Sequence, residues 1–155
     1  MGDSDTYDAL KLRNQLCFPV YLCAKEITQR YAPFLEEIDL TYTQYIVMMY
    51  FWEKGESNMK EAGKALLLDP STLTPLLNKL EKKGYITKSR SKEDERNLVI
   101  RPTEKGYALR EKAKDIPEKM GKCLKLSPEE AKTLYNLTYR VIANIEKERY
   151  DKRNN

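Results

Sequence analysis

The sequence predicts a mostly α-helical fold with one small β-hairpin. Apolar residues recur at three- and four-residue steps along most of the chain, and only residues 85–102 have the pattern of a strand, a polar turn and a second strand. The chain holds 155 residues, of which 41% are hydrophobic and 34% are charged. That length and composition predict one helix-rich domain with one sizeable core.

The composition also argues against several classes of function. The chain has no histidine, which excludes a Ser-His-Asp triad, a His-activated cysteine protease and an HExxH zinc site. Its six glycines stand apart from one another, so there is no glycine-rich loop to hold a phosphate. No run of 18 apolar residues could span a membrane. We therefore expect no enzyme, no metal site and no cofactor.

Two helices are predicted in the first third of the chain. From Leu10 to Tyr31 the apolar residues follow helical spacing, which predicts an amphipathic helix. Pro19 lies inside that segment and is expected to kink the helix or remove one hydrogen bond. Residues 41–52 are apolar nearly all round, which is typical of a central buried helix, and Gly55 is expected to end it.

The next segment has the pattern of two short helices joined by a tight turn, which predicts a helix-turn-helix. Asn58 can cap the first helix. Asp69 is the expected N-cap of the second, Pro70 its first residue and Gly84 its C-cap. Its outer face is predicted to carry short donors and acceptors and cations, the types that contact base edges and phosphates. These residues are Ser71, Thr72, Thr74, Asn78, Lys79 and Lys82.

A β-hairpin directly after such a helix is typical of a wing. Its predicted strands begin at Tyr85 and Leu98, and the polar turn between them carries Arg90, Lys92 and Arg96, a cationic tip that suits a minor groove. An exposed hairpin with ordinary surface charge is the alternative. The net charge of +4 over residues 58–101, after −4 over residues 1–57, favours a surface that binds a polyanion.

The remainder of the chain is predicted to be helical. Thr103 can cap one helix, which Pro117 and Gly121 are expected to interrupt. Ser127 and Glu130 have the spacing of a capping box at the start of the last helix. Helices at both ends of the chain could pack as a dimerisation layer around the central unit.

The segments NQLCFPVY, LTYTQY, LDPSTLTPLLNKLEKKG and KEDERN together resemble the MarR family of winged-helix regulators, and within it the organic hydroperoxide resistance (OhrR) regulators. The resemblance implies one domain over residues 1–155. Its DNA-binding region would be residues 41–101, and its dimerisation helices would lie in residues 10–40 and 103–148. It further implies a homodimeric repressor of palindromic double-stranded DNA. In the DER triplet, Asp94 would orient Arg96 into the minor groove.

Three cysteines without a recognisable signal peptide predict a reducing, cytoplasmic location. Tyr21 lies one helical turn after Cys17, and Tyr31 falls about 40° from it around a regular helix, so all three share one stripe. Cys23 points away and is expected to serve in packing. Phenol hydroxyls can donate hydrogen bonds that stabilise a thiolate. A small buried Cys17 among core tyrosines is the alternative.

The resemblance assigns these residues to redox sensing. It implies that Tyr31 and Tyr42 hydrogen-bond the reactive Cys17, and that Tyr21 helps to form the pocket from the partner subunit. Cys123 matches the resolving cysteine of two-cysteine relatives. An organic hydroperoxide would then oxidise Cys17 to a sulfenic acid, Cys123 of the partner subunit would form a disulfide with it, and the DNA would be released.

Three other functions remain open from the sequence. A MarR-type repressor could respond to a phenolic or aromatic ligand that binds reversibly between the tyrosines. A two-cysteine thiol peroxidase is a second possibility, although the sequence lacks the βαβ pattern of thioredoxin-like peroxidases. An architectural DNA-binding protein without an effector is the third.

Overall fold

The structure is a computed structural model that describes residues 7–90 and 98–154, except for the side chains of residues 150 and 152–154. It is mostly helical with a small antiparallel sheet, which confirms the predicted fold class. The helices are α1 (Cys17–Arg30), α2 (Ala32–Glu36), α3 (Tyr42–Lys54), α4 (Met59–Leu66), α5 (Pro70–Lys82), α6 (Glu104–Ala113), α7 (Ile116–Leu124) and α8 (Pro128–Asn154). The strands are β1 (Ser57–Asn58), β2 (Ile86–Arg90) and β3 (Leu98–Pro102), in the spatial order β1-β3-β2.

The first helix begins at Cys17, not at Leu10 as predicted. Two short 3-10 turns, Asp8–Leu10 and Leu12–Asn14, come before it. The Asn14 amide donates to both the backbone carbonyl and the carboxylate of Asp8 at 2.8 Å, and these local bonds compete with α-helical hydrogen bonds. Pro19 therefore falls in the first turn of α1, where no intrahelical N–H bond is lost. The expected loss of a hydrogen bond therefore does not occur.

The core forms around α3 and α5, where they pack with the sheet. Helix α3 buries one broad face, although its apolar composition predicted burial nearly all round, and Met49 is 38% exposed. Helix α5 buries one stripe of leucines at helical spacing. Strands β2 and β3 pair in antiparallel register, with Lys88 opposite Ile100, and each contributes a buried isoleucine. The largest fully buried side chains are Leu35, Val47, Met48, Phe51, Leu73, Leu77, Leu80, Ile86 and Ile100.

Several predicted helix ends are confirmed. Side chains of Asn58 and Thr103 accept from backbone N–H groups at 2.9 and 3.0 Å, and Ser127 and Glu130 form both bonds of the capping box. Gly55 ends α3 with a φ of 74°. Asp69 occupies the predicted N-cap position of α5, but its side chain makes no capping bond.

The C-terminal half of the chain differs from the prediction in one detail. The break falls at residues 114–115, between α6 and α7, and Gly121 lies inside α7 rather than interrupting it. The chain divides into two compact units, the first ending at Pro117 and the second beginning at Glu118. In residues 7–90 and 98–154, no helix is both long and apolar enough to cross a bilayer.

Two helices contribute no buried side chain within the part of the chain described. All of the residues of α1 are at least partly exposed, and the same holds for the described side chains of α8. Their apolar residues are nonetheless large. On α1 they include Val20, Tyr21 and Leu22, and on α8 they include Leu134, Tyr135, Leu137, Tyr139, Val141, Ile142 and Ile145.

Candidate nucleic-acid interface and thiol site

The turn between α4 and α5 is tight because of how α4 ends. Leu67 has a left-handed φ of 53°, and the Leu68 amide returns to the carbonyl of Gly63 at 2.9 Å. A Cβ on Gly63 would lie 2.9 Å from the Leu68 carbonyl oxygen, so only glycine fits this approach without a shift. The turn therefore sets α5 directly after α4, as a helix-turn-helix requires.

The outer face of α5 carries most of the predicted DNA-binding residues. Ser71, Thr72, Asn78 and Lys79 are exposed. Thr74 is half-buried, and its hydroxyl donates to the sulfur of Met59 on α4 at 3.6 Å. Thr74 thus faces the neighbouring helix, while the other four side chains are exposed to solvent.

The C-terminal end of α5 is fixed by a glycine-dependent motif. The amide of Gly84 donates to the Glu81 carbonyl at 2.8 Å, and the amide of Tyr85 donates to the Leu80 carbonyl at 3.0 Å. Gly84 has a φ of 74°, which makes this a Schellman motif and matches the predicted role of the glycine. The motif directs the chain from α5 straight into β2.

A lysine that sequence reasoning missed joins β2 to α5. The ammonium group of Lys88 donates to Asn78 Oδ1 at 2.5 Å and lies 2.8 Å from Glu81 Oε2. Its side chain is only 12% exposed. The signal in the sequence is its spacing, because Lys88 is two residues after the buried Ile86 and so leaves the strand on the same face.

The base of the wing is described, while its tip is not. Arg90 is exposed at the end of β2, where it pairs in register with Leu98 of β3. At the base, Arg101 donates to Ser89 Oγ at 3.4 Å and is paired with the carboxylate of Glu56. The predicted tip residues Asp94 and Arg96, with Lys92, lie outside the described residues.

A polar cluster connects the start of α3 to the end of α5. Lys83 Nζ donates to the carbonyl and the carboxylate of Asp39 at 2.6 and 2.9 Å, and to Gln44 Oε1 at 3.4 Å. Gln44 is the second member of the capping box that Thr41 begins. The hydrogen bond from Lys83 holds the pKa of Asp39 below its ordinary value. We call Asp39, Gln44 and Lys83 the α3–α5 clamp.

Three tyrosines cluster beside that clamp. The ring of Tyr31 lies 4.8 Å from that of Tyr42 and 6.0 Å from that of Tyr45, measured between centroids. Burial, and secondly the neighbouring Tyr42, raise the pKa of Tyr31 above its ordinary value. The Tyr31 hydroxyl is therefore a protonated hydrogen-bond donor at neutral pH.

Cys17 is not close to this cluster within one chain. It is an exposed free thiol in the first turn of α1, on which Tyr21 follows one turn later, also exposed. Tyr31 is the C-cap of the same helix, 14 residues away. At a rise of 1.5 Å per residue the two are roughly 21 Å apart along the axis, beyond the combined reach of their side chains. The hydrogen bond implied for Tyr31 and Cys17 cannot form within one protomer.

The other two cysteines are also exposed free thiols. Cys23 lies on α1, so its predicted role in packing is wrong for the single chain. Cys123 lies on α7, in the unit that begins at Glu118. Among the residues that the structure describes, no group of three or more histidine, cysteine or acidic side chains could hold a metal ion.

Known proteins share this fold and much of this sequence. The family model described as "Transcriptional regulator SarA/Rot" matches residues 29–116. The organic hydroperoxide resistance transcriptional regulator of Bacillus subtilis (strain 168) is 41% identical over 139 residues, which is 90% of this chain and 95% of that protein.

Two solved structures of DNA-bound proteins have a similar fold. Reduced AbfR bound to DNA has a TM-score of 0.74 at 28% identity, covering 90% of this chain and 98% of that one. A cysteine-to-serine mutant of MarR from E. coli, complexed with operator DNA, has a TM-score of 0.76 at 22% identity, covering 81% and 92% of the two chains. The second likeness concerns the fold alone.

Proposed function

Because this chain belongs to the MarR-type winged-helix transcriptional regulators, of the group matched by the SarA/Rot model, we propose that it is a repressor that binds palindromic double-stranded DNA as a homodimer. The exposed polar face of α5, set beside the wing by the Schellman motif, is the observation that carries this proposal. The DNA-bound state of AbfR, a relative of the same fold, supports it.

The proposed DNA contacts follow from exposure. Helix α5 would enter the major groove with Ser71, Thr72, Asn78 and Lys79 toward the bases and phosphates. Arg90, with Asp94 and Arg96 at the wing tip, would follow the minor groove. Thr74 is a weaker candidate than the sequence indicated, because its hydroxyl is engaged with Met59. A two-fold dimer would place its half-sites about one helical turn apart.

The homodimer accounts for the exposed apolar helices. Large side chains such as Val20 on α1 and Leu137 on α8 face solvent in the single chain, and a second copy that covers them would remove that apolar surface from water. Residues 10–40 and 103–148 thus remain our candidates for the dimerisation helices.

We further propose that the repressor is redox-switched through Cys17. The thiol is exposed and free, as an oxidant requires. Tyr31 of the same chain is roughly 21 Å away along the helix axis, so the tyrosines that we propose donate to Cys17 are Tyr31 and Tyr42 of the partner subunit. The name of the Bacillus subtilis relative indicates organic hydroperoxide as the inducer.

The proposed chemistry has two steps. The Cys17 thiolate attacks the terminal oxygen of the neutral hydroperoxide, so the O–O bond breaks and Cys17 becomes a sulfenic acid, while the departing alkoxide takes a proton from water and leaves as an alcohol. The thiol of Cys123 from the partner subunit then attacks the sulfenic sulfur, which forms an intersubunit disulfide and releases water. The disulfide requires the two Cα atoms to lie within about 7 Å. The helices that carry Cys17 and Cys123 must therefore shift, and this shift would change the spacing of the two α5 helices and release the DNA.

The test measures fluorescence anisotropy of the reduced protein on DNA from its own upstream region, before and after one equivalent of cumene hydroperoxide. We expect binding to be lost on oxidation and restored by dithiothreitol. Cys17→Ser should bind DNA and ignore the peroxide. Non-reducing electrophoresis should show a crosslinked dimer for the wild type and for the matched control Cys23→Ser, but not for Cys17→Ser or Cys123→Ser.

The alternatives give different results. Tight DNA binding that ignores peroxide but is released by a phenolic compound would replace the redox step with reversible ligand binding between the tyrosines. Sustained consumption of peroxide with dithiothreitol would indicate a thiol peroxidase. DNA binding that responds to neither would leave an architectural protein.

A further inference from the structure

The contact between Lys88 and Asn78 restricts what Asn78 can offer to a partner. A lysine ammonium has three donors and no acceptor, so only the oxygen of the Asn78 side chain can face it. A flipped amide would place an NH2 group against the ammonium, 2.5 Å away, and lose the hydrogen bond. Asn78 Oδ1 is therefore turned toward β2, and its NH2 group is turned away.

Asn78 lies on the outer face of α5, toward the flank that meets β2. It comes seven residues after Ser71 and four before Lys82, so the three share one side of the helix. The buried leucines of α5 lie on the opposite side. Asn78 itself is exposed. Lys88 thus reaches around the flank of the helix to hold one end of a side chain that otherwise faces solvent.

We propose that Lys88 is a specificity-determining residue of the DNA-binding surface, which acts by fixing the Asn78 amide so that it presents only N–H donors. The inference rests on the proposed function, in which α5 enters the major groove. A donor-only side chain fits a base edge that carries acceptors, namely guanine N7 and O6 or thymine O4.

The same restriction disfavours adenine. A free asparagine reads adenine with two bonds, accepting from N6 and donating to N7. With Oδ1 turned toward Lys88 and away from the base edge, adenine N6 loses its acceptor, and only the single bond from the Asn78 NH2 group to N7 remains. We therefore expect the wild type to prefer guanine or thymine over adenine at the position that Asn78 meets, by about fivefold or more.

Glu81 supplies a matched control for charge. Its carboxylate lies 2.8 Å from Lys88 and is 43% exposed, so the ion pair reduces the negative charge that α5 presents to DNA. Glu81→Gln changes that charge but leaves Lys88 in place to hold Asn78. Lys88→Met keeps the length of the apolar stem and removes the donor. Glu81→Gln thus reports the effect of charge on DNA affinity, and Lys88→Met reports the effect of orienting the Asn78 amide on base preference.

The experiment selects duplexes from a random-sequence library with the full-length reduced protein and derives a base preference at each position. The wild type, Lys88→Met, Asn78→Ala, Glu81→Gln and the double variant Lys88→Met/Asn78→Ala are compared, after circular dichroism has shown that each is folded. We expect Asn78→Ala to lose the preference at one base pair in each half-site. Lys88→Met should admit adenine at that same base pair and leave the others unchanged.

Three further outcomes decide the matter. The double variant should match Asn78→Ala, because Lys88 acts only through that amide, and Glu81→Gln should raise affinity evenly without changing the preference. A Lys88→Met profile identical to the wild type, or scaled equally at every position, would overturn the role of Lys88 while leaving the repressor intact. Failure of the wild type to select any sequence would overturn the proposed function itself, and this inference with it.

Discussion

At the scale of single residues, Gly106 in the first turn of α6 lies tightly against the backbone of Tyr85. A Cβ at this position would lie 2.0 Å from the carbonyl oxygen of Tyr85 and 3.3 Å from Cε of Met48. The carbonyl of Gly106 also accepts from Trp52 Nε1 at 2.9 Å. The backbone there is held from several directions, so a methyl group has no direction in which to relax.

We therefore predict that Gly106→Ala destabilises the protein by about 3 kcal/mol, the upper range for overpacking a well-packed site. Urea unfolding at pH 7 measures the effect. Gly121→Ala is the matched control, because nothing lies within 4 Å of a Cβ there and the residue is inside a helix. The control should be stabilised by roughly 0.5–1 kcal/mol. Equal effects at the two positions would contradict the close packing of Gly106.

At the scale of elements, the α3–α5 clamp joins α3, which carries Tyr42, to α5, the helix that we propose faces DNA. Lys105 also donates to the carbonyl of Lys83 at 2.8 Å, with its ammonium 4.9 Å from the centre of the Tyr85 ring. Helices α3, α5 and α6 thus meet at one lysine-rich junction.

The clamp should be sensitive to acid. The pKa of Asp39 is lowered, first by its hydrogen bond from Lys83, so its stabilising contribution is present above the ordinary pKa of 3.8 and is lost as the pH falls through the lower folded value. We predict that Asp39→Asn is less stable than the wild type at pH 7, and that the difference shrinks as the pH falls below the ordinary pKa of 3.8. Urea midpoints across this range measure it.

Lys83→Met supplies the second half of that comparison. Lys83→Met should lower the free energy of unfolding with the same pH dependence as Asp39→Asn. The double variant Asp39→Asn/Lys83→Met should lose no further pH-dependent stability, because both changes break one interaction. A difference that persists unchanged down to pH 2 would mean that Asp39 acts through its backbone conformation, with φ of 53°, rather than through its charge.

Most elements could be predicted from local chemistry in the sequence. The spacing of the leucines in α5, the caps at Asn58 and Thr103 and the glycine at position 84 each act within a few residues, so their structure follows from the chain itself. The start of α1 could not be predicted in this way, because the side-chain bonds of Asn14 to Asp8 outweighed a regular apolar pattern.

The candidate sites were predictable in part. Exposed polar residues on α5 follow from the same helical period, but the engagement of Thr74 and Asn78 depends on Met59 and Lys88, which are distant in sequence. The angle around the helix places Cys17, Tyr21 and Tyr31 on one stripe, but the rise of about 1.5 Å per residue along the helix separates Cys17 from Tyr31. Strand β1 has only two residues and no pattern of its own, so it becomes visible only through its pairing with β3.

At the scale of the whole molecule, α1 and α8 each carry large apolar side chains that are exposed to solvent. Val141 is 55% exposed and Leu134 is 42% exposed, on the same side of α8. A monomer with such a surface would be prone to association. In the proposed dimer, these apolar side chains would be buried between the two subunits.

We predict that Val141→Glu shifts the protein toward monomers, because a charge placed in an apolar interface loses its hydration without gaining a partner. Size-exclusion chromatography with light scattering measures the mass. Asn136→Glu is the control, since it adds the same charge about 140° away around α8. A dimer that persists in Val141→Glu, or dissociates equally in both variants, would argue against this face as the interface.

The distance between Cys17 and Tyr31 along α1 also has a genetic consequence. If each sensing site takes its cysteine from one subunit and its tyrosines from the other, two defective alleles can complement each other. In a cell that expresses Cys17→Ser from one copy and Tyr31→Phe/Tyr42→Phe from another, every mixed dimer contains one wild-type site and one that is doubly defective. Mixed dimers purified from such a strain would respond to peroxide although neither homodimer does, so sensing would be a property of the pair rather than of either gene product.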